Sequence, residues 1–130
     1  MEYRDDGMCF VCGPKNPIGL KLDFDLLDDR TLRTAFIPQK SHQGYANVVH
    51  GGILAAILDE VMVNLPYKLG QKVVTTRMEV TFRQPARVGH RLVFTARLVK
   101  ETKRTWEAQA QARTADGTVV AEAKSTLMKL

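Results

Sequence analysis

The sequence is poor in cysteine and has no long apolar run. Two cysteines among 130 residues are too few for the disulfide framework of a small secreted protein and indicate a reducing compartment. No apolar stretch approaches the roughly 20 residues that cross a bilayer, and the first residues are charged, unlike those of a signal peptide. We therefore expect a cytoplasmic protein that does not enter a membrane.

Several motifs of well-known chemistry are missing too. The chain has no G-x-S-x-G nucleophile elbow, no glycine-rich phosphate loop and no paired-histidine metal motif. The first absence argues against a serine hydrolase. Internal repeats and low-complexity linkers are also missing, and 45% of the residues are hydrophobic. We predict that residues 1–130 form one domain around a single core.

The charge is moderately positive, with 19 basic residues against 14 acidic ones and a net charge of +5. This excess favours anionic ligands without naming one. A phosphorylated small molecule, nucleic acid and an ordinary solvated surface would all fit. Because nucleic-acid binding would rest on net charge alone, we do not expect it.

The hydrophobic patterns predict one helix among six strands. Residues 18–27 and 31–36 predict a hairpin, and residues 51–67 predict a helix closed by Gly70. Four later segments are long and rich in β-branched residues: 73–82, 91–102, 105–114 and 118–128. Successive strands joined by short turns form antiparallel sheets, so we predict an α+β domain with an apolar helix along one face of a sheet.

The predicted helix contains two adjacent carboxylates, Asp59 and Glu60. Nine of the thirteen residues from 51 to 63 are apolar and lie on every side of a helical wheel, which indicates a helix enclosed by protein. Burying an unpaired charge is costly. Each carboxylate must therefore reach a cleft, find a partner or shift its pKa, and all three situations are common at active sites.

This layout resembles the hotdog fold, in which a curved antiparallel sheet wraps around one long central helix. The chain carries Gln43-Gly44-Tyr45, His50-Gly51-Gly52 with Asp59 nine residues after His50, the loop 83–89, and the opening segment 9–20. These motifs are similar to those of the PaaI-like acyl-CoA thioesterases, within the 4-hydroxybenzoyl-CoA thioesterase superfamily. The resemblance covers nearly the whole chain and is less specific for a substrate than for the superfamily.

The resemblance implies hydrolysis of an acyl- or aryl-CoA thioester to free acid and CoA. That reaction needs a donor for the developing oxyanion and a carboxylate that activates water or attacks the carbonyl. The helix N-terminus supplies the donor, for which the Gly51 N–H is the candidate, while Gly52 leaves room for the substrate. Asp59 is the candidate base or nucleophile.

Gly51 and Asp59 lie eight residues apart, which is about 12 Å along a helix axis. One chain therefore cannot easily direct both groups at one carbonyl. A two-fold dimer in which each site uses both chains resolves this, and the resemblance implies the same, because hotdog thioesterases place their sites at the dimer interface. We expect a homodimer or a dimer of dimers, with inactive monomers.

The residues on the helix have structural alternatives. Asp59 could pair with a basic residue of the sheet, such as Arg77 or Arg97. Glu60 is rotated about 100° from Asp59 and is an alternate base, a substrate contact or a salt-bridge partner. His50 either positions the thioester carbonyl or caps the helix.

Three further polar residues are candidates near the thioester. Related enzymes often carry Asn or Gln six residues before the histidine, where this chain has Gly44, so Gln43 or Asn47 takes that role or the group is absent. Thr75 matches a position where some relatives hold the water or the carboxylate with a hydroxyl group. Thr76 points to the opposite face of the strand, so at most one of the two serves.

Coenzyme A carries phosphates, so the resemblance implies a basic entrance to the site. Arg83 and Arg87 follow a strand and are the candidate phosphate contacts, with Arg83 as the leading one and a solvated surface charge as the alternative for each. Tyr45 is a candidate for lining the acyl pocket. The acyl chain itself is not predicted.

Cys9 and Cys12 form half of a four-ligand zinc site. His42, or the same pair in a second chain, would have to complete it, because the sequence has no other cysteine. We expect instead that both pack within an N-terminal segment, residues 1–17, and that no metal or other cofactor is required.

Two other functions fit the same fold. A noncatalytic hotdog protein that senses acyl-CoA would keep the pocket and lose the base, so the presence of Asp59 argues against it. A hotdog hydratase uses an arrangement of histidine and carboxylate that we do not find in this sequence. The sequence therefore predicts an acyl-CoA thioesterase.

Overall fold

The computed structural model describes residues 2–130, so Met1 of the predicted domain lies outside the described residues. The described residues form one α-helix, α1 (Gly51–Lys68), and six strands. The strands are β1 (Asp25–Asp28), β2 (Thr31–Phe36), β3 (Val73–Phe82), β4 (Leu92–Glu101), β5 (Thr105–Thr114) and β6 (Val119–Lys129). Except at β1, these boundaries agree with the prediction to within one residue.

All neighbouring strands are antiparallel, in the order β1-β2-β4-β5-β6-β3. After the helix, β3 joins the sheet beside β6, so β1 and β3 are its two edges. The helix packs along one face of the sheet and contacts every strand from β2 to β6. This architecture confirms the predicted α+β hotdog fold.

The helix lies at the centre of the hydrophobic core. Its middle turns carry four fully buried side chains, those of Ile57, Leu58, Val61 and Met62. The helix ends where Gly70 adopts a φ of +94°, a left-handed conformation that costs glycine little. No helix within residues 2–130 is long and apolar enough to span a membrane.

The predicted strand over residues 18–27 is wrong in its first part. Residues 18–24 run beside the N-terminal segment and not in the sheet, and the Leu20 N–H donates to Phe10 O at 2.8 Å. Lys21 has a φ of +52°, which interrupts an extended backbone. Leu20, Leu22 and Phe24 still pack against the core, whereas Ile18 is exposed. The apolar pattern therefore indicated the burial of these three side chains correctly and the backbone partner of the segment wrongly.

Strand β3 contains a bulge at Thr76. Thr75 pairs with Leu127 and Arg77 with Thr126, which leaves Thr76 as the extra residue. Its hydroxyl donates to Thr126 O at 3.1 Å. Thr76 and Arg77 are both exposed, whereas the Thr75 side chain faces the helix. The bulge thus directs one of the two candidate threonines towards α1.

Candidate active site on helix α1

Asp59 lies half-buried in the middle of α1, on the side that faces β3. The Thr75 hydroxyl donates a hydrogen bond of 2.6 Å to Asp59 Oδ1. An O–H···O⁻ bond of this length is characteristic of a strong, charge-assisted interaction. It orients the carboxylate and engages one of its oxygens, so that Oδ2 is the oxygen available to a substrate or a water molecule.

The basic residues considered as partners of Asp59 are engaged elsewhere. Arg77 lies 3.6 Å from the Glu79 carboxylate, and Arg97 donates to Gln109 Oε1 at 3.3 Å. The structure therefore favours a carboxylate oriented by a hydroxyl group over one neutralised by a salt bridge.

His50 is the N-cap of α1. Its backbone is extended, with φ −60° and ψ 131°, and its Nδ1 accepts a hydrogen bond of 2.8 Å from the Gly52 N–H. This is the capping geometry considered above, and it places the proton of the neutral ring on Nε2. The neighbouring Gly51 N–H has no acceptor within residues 2–130, so it is the donor that the first helical turn offers to a ligand.

A cavity of about 310 Å³ opens at this end of the helix. Gly51 and Leu54 line it from the helix, and Phe82 and Pro85 line it from the end of β3 and the loop that follows. The Phe82 ring lies close to Gly51, because a Cβ built on Gly51 would come within 3.3 Å of the ring. The cavity thus combines an apolar wall with the free N–H of the helix.

The loop before the helix carries the candidates Gln43, Tyr45 and Asn47. Gln43 Oε1 accepts a hydrogen bond of 3.0 Å from the Asn47 N–H. Asn47 has a φ of +63°, a left-handed conformation that asparagine tolerates better than most residues. Gln43 and Asn47 therefore both help to shape the loop, Gln43 through its side chain and Asn47 through its backbone. Tyr45 is 89% exposed and projects away from the single chain.

Glu60 points to another side of the helix than Asp59. Its Oε1 accepts hydrogen bonds from Asn64 Nδ2 at 2.7 Å and from the Cys12 thiol at 3.4 Å. Burial raises the pKa of Glu60, and these hydrogen bonds oppose part of the rise. The pKa of the Cys12 thiol is also raised, chiefly by burial and further by its hydrogen bond with Cys9 and the charge of Glu60. The sequence did not indicate this contact between helix and N-terminal segment.

Arg83 and Arg87 have different surroundings. Arg83 Nε donates to Glu122 Oε1 at 3.0 Å, so an ion pair compensates its charge. Arg87 instead lines a groove of about 620 Å³ together with His90 and Arg91. These last two residues were not among the predicted contacts, although three basic residues within five positions are visible in the sequence.

Two curated proteins resemble part of the chain. An uncharacterised protein of Schizosaccharomyces pombe is 32% identical over 77 residues, which are 55% of this chain and 42% of that protein. Mouse acyl-coenzyme A thioesterase 13 is 28% identical over 67 residues, which are 50% of this chain and 48% of the mouse protein. The chain therefore spans less than half the length of these two relatives.

Solved structures share the fold over most of the chain. A thioesterase superfamily protein superposes with a TM-score of 0.88 at 24% identity, over 98% of this chain and 67% of its own. Escherichia coli PaaI, from the phenylacetic acid degradation operon, gives 0.79 at 18% identity, over 84% and 83%. A hypothetical thioesterase of Streptococcus pneumoniae, solved with coenzyme A, gives 0.79 at 17% identity, over 84% and 85%.

The family profile of the Thioesterase superfamily matches residues 46–121. The matched segment is more than half of the chain and contains Gly51, Asp59 and the strands β3, β4 and β5. It confirms the resemblance drawn from the His50-Gly51-Gly52 motif and the carboxylate that follows it. The chain belongs to the thioesterase superfamily.

Proposed function

We propose that this protein hydrolyses acyl-CoA thioesters and that Asp59 is its catalytic carboxylate. The observation that carries the proposal is the 2.6 Å hydrogen bond from Thr75 to Asp59 Oδ1, because it holds a half-buried carboxylate in one orientation without neutralising it. The pneumococcal thioesterase was also solved as two variants, one with an aspartate changed to alanine and the other with a threonine 16 positions later changed to alanine. Asp59 and Thr75 are 16 positions apart as well.

The reaction begins when Asp59 Oδ2 accepts a proton from water, and the water oxygen adds to the thioester carbonyl. The carbonyl electron pair moves onto its oxygen. When the tetrahedral intermediate collapses, the C–S bond breaks, the acid departs and the proton held by Asp59 passes to the thiolate of CoA. Direct attack by Oδ2 would instead form a mixed anhydride that water then hydrolyses. Oxygen-18 from labelled water that appears in Asp59 after a single turnover identifies the anhydride route, since only attack of water on the Asp59 carbonyl of the anhydride places it there.

The Gly51 N–H is the proposed donor to the developing oxyanion. It lies at the positive end of the helix dipole, and the cap leaves it unpaired because His50 Nδ1 bonds to Gly52. The adjacent cavity of about 310 Å³ has room for part of the acyl or pantetheine chain against Phe82. His50 positions this donor by capping the helix.

Each site in this proposal contains Asp59 of one subunit and Gly51 of another. The two residues are about 12 Å apart along one helix axis, too far to act on the same carbonyl. Strand β3 is an edge of the sheet and carries Thr75, so a second copy added at this edge would lie beside Asp59. A homodimer is therefore the proposed active unit. Arg87, with His90 and Arg91, is the proposed contact for the CoA phosphates.

The first test is release of free thiol from a panel of short, aromatic, medium and long acyl-CoA esters. Turnover of at least one class supports the thioesterase and identifies its substrate. Tight binding of acyl-CoA without turnover of any ester would contradict hydrolysis and favour the noncatalytic sensor.

Subunit complementation tests the shared site. Gly51→Pro removes the proposed oxyanion donor at the first helical position, where proline is tolerated, and Gly51→Ala is the matched control that retains the N–H. Asp59→Asn and Gly51→Pro subunits should each be inactive alone. After unfolding and refolding together they should recover about one quarter of wild-type activity, since half of the dimers are mixed and each mixed dimer has one intact site. No recovery in dimers shown to be mixed would exclude a shared site.

A further inference from the structure

We propose that Cys9, Cys12 and Glu60 form a binding site for Zn²⁺. The sequence offered only half of a zinc site, and the structure supplies a third ligand from α1, 48 residues away from Cys12. One ligand atom of each of the three residues lies within 4.8 Å of the others. This proposal departs from the expectation that these cysteines merely pack in the N-terminal segment.

The spacing of the ligand atoms suits a tetrahedral ion. With Zn–S and Zn–O bonds of about 2.3 and 2.0 Å, the sulfur and oxygen of a tetrahedral site are about 3.5 Å apart. Cys12 Sγ and Glu60 Oε1 are 3.4 Å apart. An ion placed between them would therefore replace the thiol proton of Cys12 with little movement of either side chain.

The turn that carries both cysteines is already closed. The Gly13 N–H donates to Cys9 O at 2.8 Å, and the Cys12 N–H donates to Cys9 Sγ at 3.4 Å. A Cβ on Gly13 would lie 2.4 Å from Cys9 N and 2.6 Å from Cys9 O, so glycine is needed for the turn to close. The two sulfurs are thus held together by backbone before an ion arrives.

The third ligand is held in place by its neighbour on the helix. Asn64 Nδ2 donates to Glu60 Oε1 at 2.7 Å, one helical turn away. Outer contacts of this kind orient metal-binding carboxylates and strengthen the site. Helix and turn therefore present their ligands independently, and the ion would join the N-terminal segment to the helix.

The donor set selects zinc among the common ions. Two thiolates are soft ligands that Mg²⁺ and Ca²⁺ avoid, and a tetrahedral site with sulfur and oxygen donors is suited to Zn²⁺. The three ligands border a cavity of about 390 Å³ that Arg4 also lines. Asp5 and Asp6 line the same cavity, so a neutral water molecule, rather than an anion, would take the fourth position.

The site is separate from the proposed catalytic carboxylate. Asp59 bonds to Thr75 of the sheet, whereas Glu60 faces the N-terminal segment. Loss of zinc binding and loss of thioesterase activity are therefore expected from different substitutions, so each proposal can fail without the other.

The test is an anaerobic titration of reduced, metal-free protein with Co²⁺, which reports thiolate coordination through a sulfur-to-cobalt charge-transfer band, followed by displacement with Zn²⁺. Wild type should bind one ion per chain, and Cys12→Ser should weaken binding by at least about 100-fold. Asp59→Asn, the control at the adjacent helix position, should bind as wild type does. Circular dichroism should show that both variants are folded.

Three results would overturn the proposal. The first is the absence of a charge-transfer band in the wild type, and the second is an unchanged affinity for Co²⁺ in folded Cys12→Ser. The third is a Glu60→Gln variant that binds Co²⁺ through thiolates with the affinity of the wild type. The first result concerns only the wild type and so does not depend on the folding of any variant. Zinc content measured on protein purified without chelator would then show whether the site is filled during expression.

Discussion

Asp59 and Glu60 are adjacent on one helix and have little else in common. Asp59 faces the edge strand β3 and receives one short hydrogen bond from Thr75. Glu60 faces the N-terminal segment, where it contacts Asn64 and Cys12 and burial raises its pKa. A rotation of about 100° between consecutive helical residues thus separates the carboxylate that we propose as catalytic from the one that we propose as a zinc ligand.

The surroundings of a helical carboxylate determine its contacts more than its position in a motif does. Both residues follow the His-Gly-Gly sequence on a helix buried along its length. What distinguishes them is the element that each side faces, since the sheet offers a hydroxyl group and the N-terminal segment offers thiols. Substitutions that treat the two carboxylates alike should therefore have unlike effects.

The largest effect is expected from the two amide substitutions. Asp59→Asn should lower kcat/KM for the best acyl-CoA by at least about 100-fold, equivalent to about 2.7 kcal/mol of barrier, because an amide neither accepts the proton of water nor attacks the carbonyl. Glu60→Gln should keep kcat/KM within about threefold of wild type. Comparable losses in both variants would mean that the helix has no dedicated base.

The next effect concerns the hydroxyl group that orients Asp59. Thr75→Val keeps the shape of the side chain and removes the 2.6 Å hydrogen bond, so kcat should fall by about 10-fold with little change in KM. Thr76→Val is the matched control on the exposed side of the strand and should retain activity within about twofold. If the two variants behaved alike, the hydrogen bond would have no part in orienting Asp59.

The two arginines after β3, Arg83 and Arg87, are also expected to respond differently to substitution. Arg87→Gln should raise KM for acyl-CoA by about fivefold, with kcat unchanged, because it removes a charge from the groove proposed for the phosphates. Arg83→Gln should have a smaller effect on KM, since Glu122 already pairs with Arg83. Steady-state kinetics at low ionic strength distinguishes them, and equal KM values would exclude the groove as the phosphate site.

The smallest effect is the pH dependence of stability at Glu60. Because burial raises the pKa of Glu60 above its ordinary value of 4.5, the folded protein holds this proton more tightly than the unfolded chain. Metal-free wild type should therefore lose stability as the pH rises from about 4.5 through the raised pKa. Glu60→Gln lacks this titration, so its Tm relative to wild type should increase by about 1–3 °C between about pH 4.5 and 7.5. A difference in Tm that does not change with pH would contradict this.

Most of the fold could be predicted because the apolar pattern determines which segments are buried. The helix from Gly51 and the long strands β3 to β6 have strong patterns and short turns, and their boundaries agree with the structure. The failure lies in residues 18–24, of which Leu20, Leu22 and Phe24 are partly buried against the core as expected. A pattern of apolar residues does not specify which backbone a segment bonds to, and the positive φ of Lys21 has no signal in the sequence.

The site could be predicted only where spacing along one element was enough. Periodicity separates Asp59 from Glu60 and Thr75 from Thr76. The bond between Cys12 and Glu60 joins positions 48 residues apart, and no local pattern connects them. The roles of Gln43 and Asn47 near the thioester stay predictions, and the structure shows that the two residues are hydrogen-bonded to each other within one loop.

The bulge residue Thr76 shifts the alternation of inward and outward side chains along β3 by one position. In a regular strand, a side chain that faces inward at Thr75 would be followed inward by Arg77 and Glu79. Because Thr76 is an extra residue without a partner in β6, Met78 and Val80 pack against the core instead. If the same residues formed a regular strand without the bulge, every side chain after Thr76 would face the opposite side of the sheet. A one-residue insertion thus lets a polar group serve the carboxylate and an apolar stripe cover the helix within the same ten-residue strand.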